Sequence, residues 1–217
     1  MINLSFYESG TIILVGGGGH CRSVIDVIEE ENRFEIFGIA DKTAKIGDTI
    51  LGYPVIDGSN PKSLQKDCNN FHITVGQIKS STVRRNLYNE IKEFGGNLPV
   101  IKSPHAIVSR HSSIGEGTVI MHQVVINANA NIGVANILNT SCLIEHDAVV
   151  GNFNHISTKS IVNGNCEVGN DSFLGSNAVL AHGVKIADHV IVAAGSNVYK
   201  SLKDSGIYLG FPLRKIR

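Results

Sequence analysis

Residues 108–198 read VSRHSSIGEGTVIMHQVVINANANIGVANILNTSCLIEHDAVVGNFNHISTKSIVNGNCEVGNDSFLGSNAVLAHGVKIADHVIVAAGSNV. Steps of six from Val108 land on Ile114, Ile120, Ile126, Ile132, Leu138, Ile144, Val150 and Ile156. They continue through Val162, Val168, Leu174, Leu180, Ile186, Val192 and Val198. All sixteen positions are Val, Ile or Leu, an outcome of order one in billions by chance at ordinary composition. Six fits neither the 3.6 residues of an α-helix turn nor the 3.5 of a coiled coil. It fits short extended segments separated by tight turns, each sending one aliphatic inward. Small residues follow four places later, among them Thr118, Ala130, Cys142, Ala148, Ser160, Cys166, Ser172 and Ala178. Gly115, Gly133, Gly151, Gly169, Asn127 and Asn163 are expected to supply positive φ in the turns. Three faces close an 18-residue coil, with coils stacked about 4.8 Å apart as neighbouring strands are. Residues 105–200 therefore predict a little over five coils of a parallel β-solenoid. A β-sandwich would need strands spaced by 8–12 residues and more aromatics than this chain carries.

The whole chain is 217 residues with 19 basic and 19 acidic side chains, a net charge of zero. No basic run argues for nucleic acid. No apolar stretch is long enough for a membrane helix, and the opening MINLSFYESGT lacks the basic and apolar regions of a secretory leader. The four cysteines, 21, 68, 142 and 166, have no zinc-ligand spacing, so free thiols in a cytoplasmic protein are the simplest expectation.

Residues 1–103 have a different pattern. Thr11–Val15 reads as a buried strand, Gly16–Gly19 as a glycine turn and Ser23–Glu31 as an amphipathic helix. Glu35–Ala40 and Phe71–Val75 read as further strands. Ser80–Phe94 reads as a helix, capped by Ser80 or Ser81, with Val83, Leu87 and Ile91 on one face. Leu98–Ile101 is expected to be a fourth strand. Strands alternating with helices define a small parallel α/β domain, Rossmann-like, ending near Ser103-Pro104; residues 104–217 form the second domain.

Ligands of open parallel sheets sit at the carboxyl ends of the strands. Here those ends carry Gly16–His20, Asp41 and Gly76. Glycines opening a helix bring backbone amides to a phosphate, and an acid at the next strand end can accept from a ribose or base. Cys21 stands at the last glycine position of a GxGxxG pattern, so this nucleotide signal is weak by itself. Seven of the nine histidines lie at or beyond residue 105. Of these, His146 is flanked by Glu145 and Asp147, and a neighbouring carboxylate suits an imidazole to general-base work. His155 is its natural companion half a coil on. His182, two coils from His146 and about 10 Å away by strand spacing, is less suited. No histidine pair has close metal-ligand spacing, so no metal is expected. Cys142 and Cys166 fall in the inward register and read as buried core thiols, not nucleophiles.

The hexapeptide register resembles that of the left-handed β-helix acyltransferases. The GxxGH turn, the run NTSCLIEHDAVVGNFNHIST and the closing GFPLRKI together resemble one family within it. That family comprises sialic acid O-acetyltransferases and bacillosamine-pathway nucleotide-sugar N-acetyltransferases. The resemblance implies an α/β domain for a nucleotide sugar, a left-handed β-helix for acetyl-CoA, and homotrimers with sites between adjacent subunits. It implies His146 as base and Asp147 as its orienter. His155 would lie near the acetyl thioester, and Ser176 and Ala194 would contact the pantetheine arm. Gly18, Gly19, His20, Asp41, Lys42 and Gly76 would hold the nucleotide sugar. The implied reaction is acetylation of the C4 amine of a nucleotide-linked 4-amino-4,6-dideoxy sugar for surface glycans or glycoproteins. O-acetylation of a sialic-acid-like sugar is the alternative, and a non-catalytic scaffold the third reading.

Overall fold

The computed structural model describes residues 10–210 and 214–216. The leader reading falls on residues 1–9 and part of the closing motif on 211–213, all outside the described residues. The amino-terminal unit runs β1 (Gly10–Val15), α1 (Gly19–Glu31), β2 (Phe34–Asp41), β3 (Thr49–Ile50), β4 (Tyr53–Asp57), β5 (Phe71–Ile73) and α2 (Thr82–Glu93). The sheet order is β3-β4-β2-β1-β5, parallel except for the short β3–β4 hairpin. Helix α1 begins at Gly19, four residues ahead of the expected start, because Gly18 itself serves as its cap.

Two expectations for this unit need correction. Leu98–Ile101 adds no full strand to its sheet. Asn97 makes a single bridge to Asn70, and Ile101–Lys102 pairs instead with Val119–Ile120 of the solenoid. On α2, Leu87 and Ile91 are buried, but Val83 is 57% exposed and Arg84 takes the inward place. The Arg84 guanidinium lies fully buried and donates to the carbonyls of Ile73, Val75 and Ala135. Carbonyl partners outside the reach of any aliphatic select Arg there.

From residue 101 the chain winds into three parallel faces. The first stacks Ile107–Val108, Val125–Ile126, Leu143–Ile144 and their repeats. The second stacks Ser113–Ile114, Asn131–Ile132, Val149–Val150 and onward. The third begins at Ile101–Lys102 and runs through His155–Ile156 to Gly206–Leu209, with Arg214–Lys215 added antiparallel. Fifteen of the sixteen hexad aliphatics are buried, and Val108, at the open end, is half-buried.

The turns contradict the glycine expectation. Positive φ recurs every six residues from Gly117 to Gly195, at Gln123, Asn129, Ala135, Ser141, Asp147 and their successors. Gly115, Gly133, Gly151 and Gly169 are not among these residues. They are required by close stacking: a Cβ on Gly115 would stand 2.6 Å from the carbonyl carbon of Gly133, and one on Gly151 2.6 Å from the Gly169 oxygen. The small-residue register also hides a polar ladder. Asn136 Nδ2 donates to the carbonyls of Gly133 and Gly151 while its Oδ1 accepts from the Asn154 amide. Asn154 repeats the pattern with Gly169 and Ser172 one coil on. Both amides are fully buried, where every polar atom needs a partner.

Asn154→Ala strands the Gly169 carbonyl and the Ser172 amide inside the solenoid. It should cost about 1–3 kcal/mol, read as a lowered midpoint in denaturant unfolding; an unchanged midpoint would show the ladder to be energetically idle.

Candidate active site

Helix α2 and the chain after β5 dock against the solenoid corner that precedes the third face. Gln77 Nε2 donates to the Phe153 carbonyl (2.5 Å), Arg85 makes a two-pronged ion pair with Asp171 (2.6 and 2.7 Å), and Tyr88 donates to Glu116 (2.7 Å). Ser81 also hydrogen-bonds Asp171. The seam leaves a cavity of about 410 Å³ lined by Gly19, His20, Ser23, Gly76, Gln77, Ile78, Asn139 and His155. A larger recess of about 600 Å³ lies where β1 and β2 begin, beside Ile28, Arg33 and Tyr53. It is at the wrong end of the strands, since open parallel sheets bind ligands at their carboxyl ends.

One wall of the cavity is the glycine turn. A Cβ on Gly18 or Gly19 would meet nothing within 4 Å, so the backbone there faces open space. Helix α1 has no side-chain cap, which leaves its positive end able to meet an anion. Asp41 braces the turn from below. Its Oδ2 accepts from the Gly17 amide (2.6 Å), and its Oδ1 accepts from Thr43 N (2.7 Å), Thr43 Oγ1 (2.9 Å) and Ala44 N (2.8 Å). Burial raises the Asp41 pKa, but these bonds outweigh it and hold the carboxyl down to about 2. Most of the carboxylate is thus spent on the protein, leaving one lone-pair direction on Oδ2 open. Lys42 is exposed beside it. His20 is pushed down to about 3 by burial, aided by the charges of Arg84 and His155, and its Nε2 has no protein partner. It is a neutral imidazole at the cavity wall.

The opposite wall is His155, only 9% exposed. Its Nδ1 lies 2.6 Å from the Gln77 carbonyl and its Nε2 3.1 Å from Asn139 Nδ2. A carbonyl can only accept, so Nδ1 carries the proton and donates, leaving Nε2 as an acceptor. Burial lowers the pKa to about 4; the Gln77 bond opposes that and Arg84 adds to it. The ring stands edge-on to Phe173 at 5.1 Å. A histidine so held is neutral, with its Nε2 lone pair turned to the Asn139 amide and no N–H there to donate to a carbonyl.

From His155 the solenoid edge continues through Ser157 and Ser176, whose hydroxyls lie 3.1 Å apart, to Ala194. Gly175 and Ala194 are in close register, for a Cβ on Gly175 would stand 2.4 Å from the Ala194 nitrogen. Ser176 and Ala194 therefore lie on the edge that leads away from the cavity.

His146 belongs to another corner. It follows the strand Leu143–Ile144 on the first face, whereas His155 sits on the third, with the second face between them. A single chain does not bring the two rings together. At its own corner His146 is paired: Nδ1 donates to Asp147 Oδ2 (2.8 Å), while Asn129 Nδ2 donates to Asp147 Oδ1 (2.6 Å). The bond to Asp147 raises the His146 pKa; desolvation opposes this, and the charges of Asp147 and Glu145 reinforce it. The ring is 56% exposed, with Nε2 bare. Asn129, one coil below Asp147 in the 18-residue register, is a partner that spacing alone could have supplied. Gln77 and Asn139 had no such signal, because their roles arise only from docking.

All four cysteines are free and buried. Among the described residues no cluster of three or more His, Cys, Asp or Glu could hold a metal, and no helix is long and apolar enough to cross a membrane.

Comparison with known proteins places this architecture. The sequence profile of the PglD N-terminal domain matches residues 11–91, and that of the GMPPB C-terminal domain matches residues 102–205. No curated protein sequence matches significantly. Among solved structures, PerB from Caulobacter crescentus in complex with CoA and GDP-perosamine is 30% identical with a TM-score of 0.89. The match covers 96% of this chain and 98% of that one. A histidine-to-asparagine variant of perosamine N-acetyltransferase from the same organism, with the same two ligands, is 30% identical with a TM-score of 0.90. It covers 96% of this chain and 97% of that one. The acetyltransferase domain of PglB from Neisseria gonorrhoeae shares the fold at 24% identity and TM-score 0.85, over 95% of this chain and 99% of that one. The fold is thus an α/β unit joined to a left-handed β-helix. The chain belongs to the nucleotide-sugar N-acetyltransferase family within that class.

Asp147→Asn replaces the charged carboxylate that raises the His146 pKa by a neutral amide, so the His146 titration midpoint should move to lower pH in an NMR titration. An unmoved midpoint would show that Asp147 does not set its basicity.

Proposed function

We propose that this protein transfers acetyl from acetyl-CoA to the C4 amine of a nucleotide-linked 4-amino-4,6-dideoxy sugar, in the synthesis of a surface glycan or glycoprotein. The observation that carries the reading is the seam cavity. It joins an open glycine turn and a bare helix end to a neutral imidazole, in a chain similar along 96% of its length to PerB with CoA and GDP-perosamine bound. The α/β unit, residues 1–103, is the nucleotide-sugar domain. Gly18 and Gly19 face the diphosphate, Asp41 and Lys42 the nucleoside, and His20 and Gly76 the sugar. Residues 104–217 take acetyl-CoA along the edge marked by His155, Ser176 and Ala194, with the thioester toward the cavity.

His146 is the general base. Asp147 fixes its tautomer so that Nε2 takes the proton from the attacking amine. The C–N bond forms directly on the thioester carbon, the C–S bond breaks, and CoA leaves as the thiol; no buried cysteine is placed to carry an acyl group. Because His146 and the cavity occupy different corners, the site is completed in a homotrimer, where the His146 corner of one copy faces the seam of the next. Acetyl-CoA and four unpaired cysteines suit a cytoplasmic reaction.

Incubation with acetyl-CoA and GDP-, UDP- or dTDP-linked 4-amino sugars should release CoA thiol and add an acetyl mass to one of them. Acetylation of sialic acid or its CMP form alone would replace the amine reading with O-acetylation. In the active pair, His146→Ala should lower the rate by about 10²–10⁴; near-wild-type turnover would remove it as base.

A further inference from the structure

Gln77 and Ile78 reverse the usual placement of polar and apolar side chains. Gln77 is 4% exposed, its amide spent on the Phe153 carbonyl, whereas Ile78 is 61% exposed. A lone exposed isoleucine is ordinary on a protein surface. This one is set apart by its place, because it lines the seam cavity. The other side chains there are two imidazoles, two amides and a hydroxyl, beside two glycines. Among the described residues of that lining, Ile78 alone is aliphatic. The fold does not account for it, since Ile78 packs into neither of the hydrophobic clusters that hold the molecule together. Gly76, two residues earlier, closes on the other wall: a Cβ there would stand 3.6 Å from the Cβ of His20. Ile78 thus follows directly on the part of the wall assigned above to the sugar.

We propose that Ile78 reads the 6-deoxy character of the acceptor: its side chain covers the C6 methyl of the sugar whose amine is acetylated and disfavours the 6-hydroxy counterpart. This rests on the acetyl-transfer reading above. In a 4-amino-4,6-dideoxy sugar C6 is a methyl carried on C5, the ring carbon next to C4. Wherever the amine enters, the methyl comes with it, and the wall that receives one receives the other. An aliphatic side chain shields a methyl from water and offers no partner to a hydroxyl. A sugar that keeps its 6-hydroxyl would turn that group against Ile78 and lose part of its hydration without compensation. Ile78 forms one wall that stays open to solvent, not a closed pocket. The discrimination therefore falls at the low end of what one methyl or hydroxyl confers, about tenfold.

The test measures kcat/KM for wild type, Ile78→Leu and Ile78→Asn on two acceptors: the nucleotide-linked 4-amino sugar that the wild type acetylates, and the same compound with its 6-hydroxyl retained. The wild type should favour the 6-deoxy acceptor about tenfold, and Ile78→Leu should keep most of that preference. Ile78→Asn should bring the ratio to within about twofold of one, chiefly by slowing the 6-deoxy acceptor. The KM for acetyl-CoA and the melting temperature should hold in both variants, because the side chain is exposed and outside the core. An equal ratio in wild type and Ile78→Asn would overturn the proposal. If that variant also changed the oligomeric state in light scattering, Ile78 would be a subunit contact instead. A wild type inactive on every 4-amino sugar would contradict the acetyl-transfer reading. Calorimetric Kd values for the two nucleotide sugars without acetyl-CoA test Ile78 independently of turnover, and a Kd ratio untouched by Ile78→Asn would overturn its role.

Discussion

The guanidinium of Arg84 draws together the carbonyls of Ile73 and Val75, at the end of β5, and of Ala135, in a turn of the solenoid. It is buried, its two terminal nitrogens donate to these three carbonyls and its Nε has no partner, so the hydrogen bonds that offset its charge come from backbone dipoles and not from a carboxylate. Leaving such a cation short of acceptors would be costly, and the docking of the α/β unit therefore has little freedom. Everything that makes the cavity follows from this seating. The segment after β5 is held where Gln77 can reach both the Phe153 carbonyl and the His155 ring. The ion pair of Arg85 with Asp171 then fixes the rotation of α2 over the same corner. The same buried charge helps keep His20 and His155 neutral.

A division of labour results. The docked corner supplies a cavity walled by His20 and His155, which burial keeps neutral. The His146 corner is exposed and acid-flanked, and it holds an imidazole whose affinity for protons is raised. In the proposed function binding and proton removal fall on different corners of one prism, which is why that reading calls for a second copy of the chain. The same split explains why neither corner looks complete alone.

The solenoid was legible because its constraint is periodic: each coil must send an aliphatic inward at the same place, so sixteen residues report one geometry. The His146–Asp147 pair was legible because the partners adjoin in sequence. Contacts set by docking were not. Val83 fits a helical spacing as well as Arg84 does, and only the three carbonyls waiting at that position decide between them. Ile101 looks like a strand of either sheet until its pairing with Val119 is seen. The glycines of the turns were placed correctly for the wrong reason, since close stacking and not positive φ demands them.

The central claim is that chemistry occurs where the Gln77–His155 seam of one chain meets the His146 corner of another. A crystal structure of the protein with CoA and a nucleotide-linked 4-amino sugar tests it most directly. The account predicts the diphosphate over Gly18 and Gly19, the sugar amine in the seam cavity, and a neighbouring copy's His146 Nε2 within hydrogen-bonding distance of that amine. A nucleotide sugar seated elsewhere, or an amine reached by no His146, would contradict it.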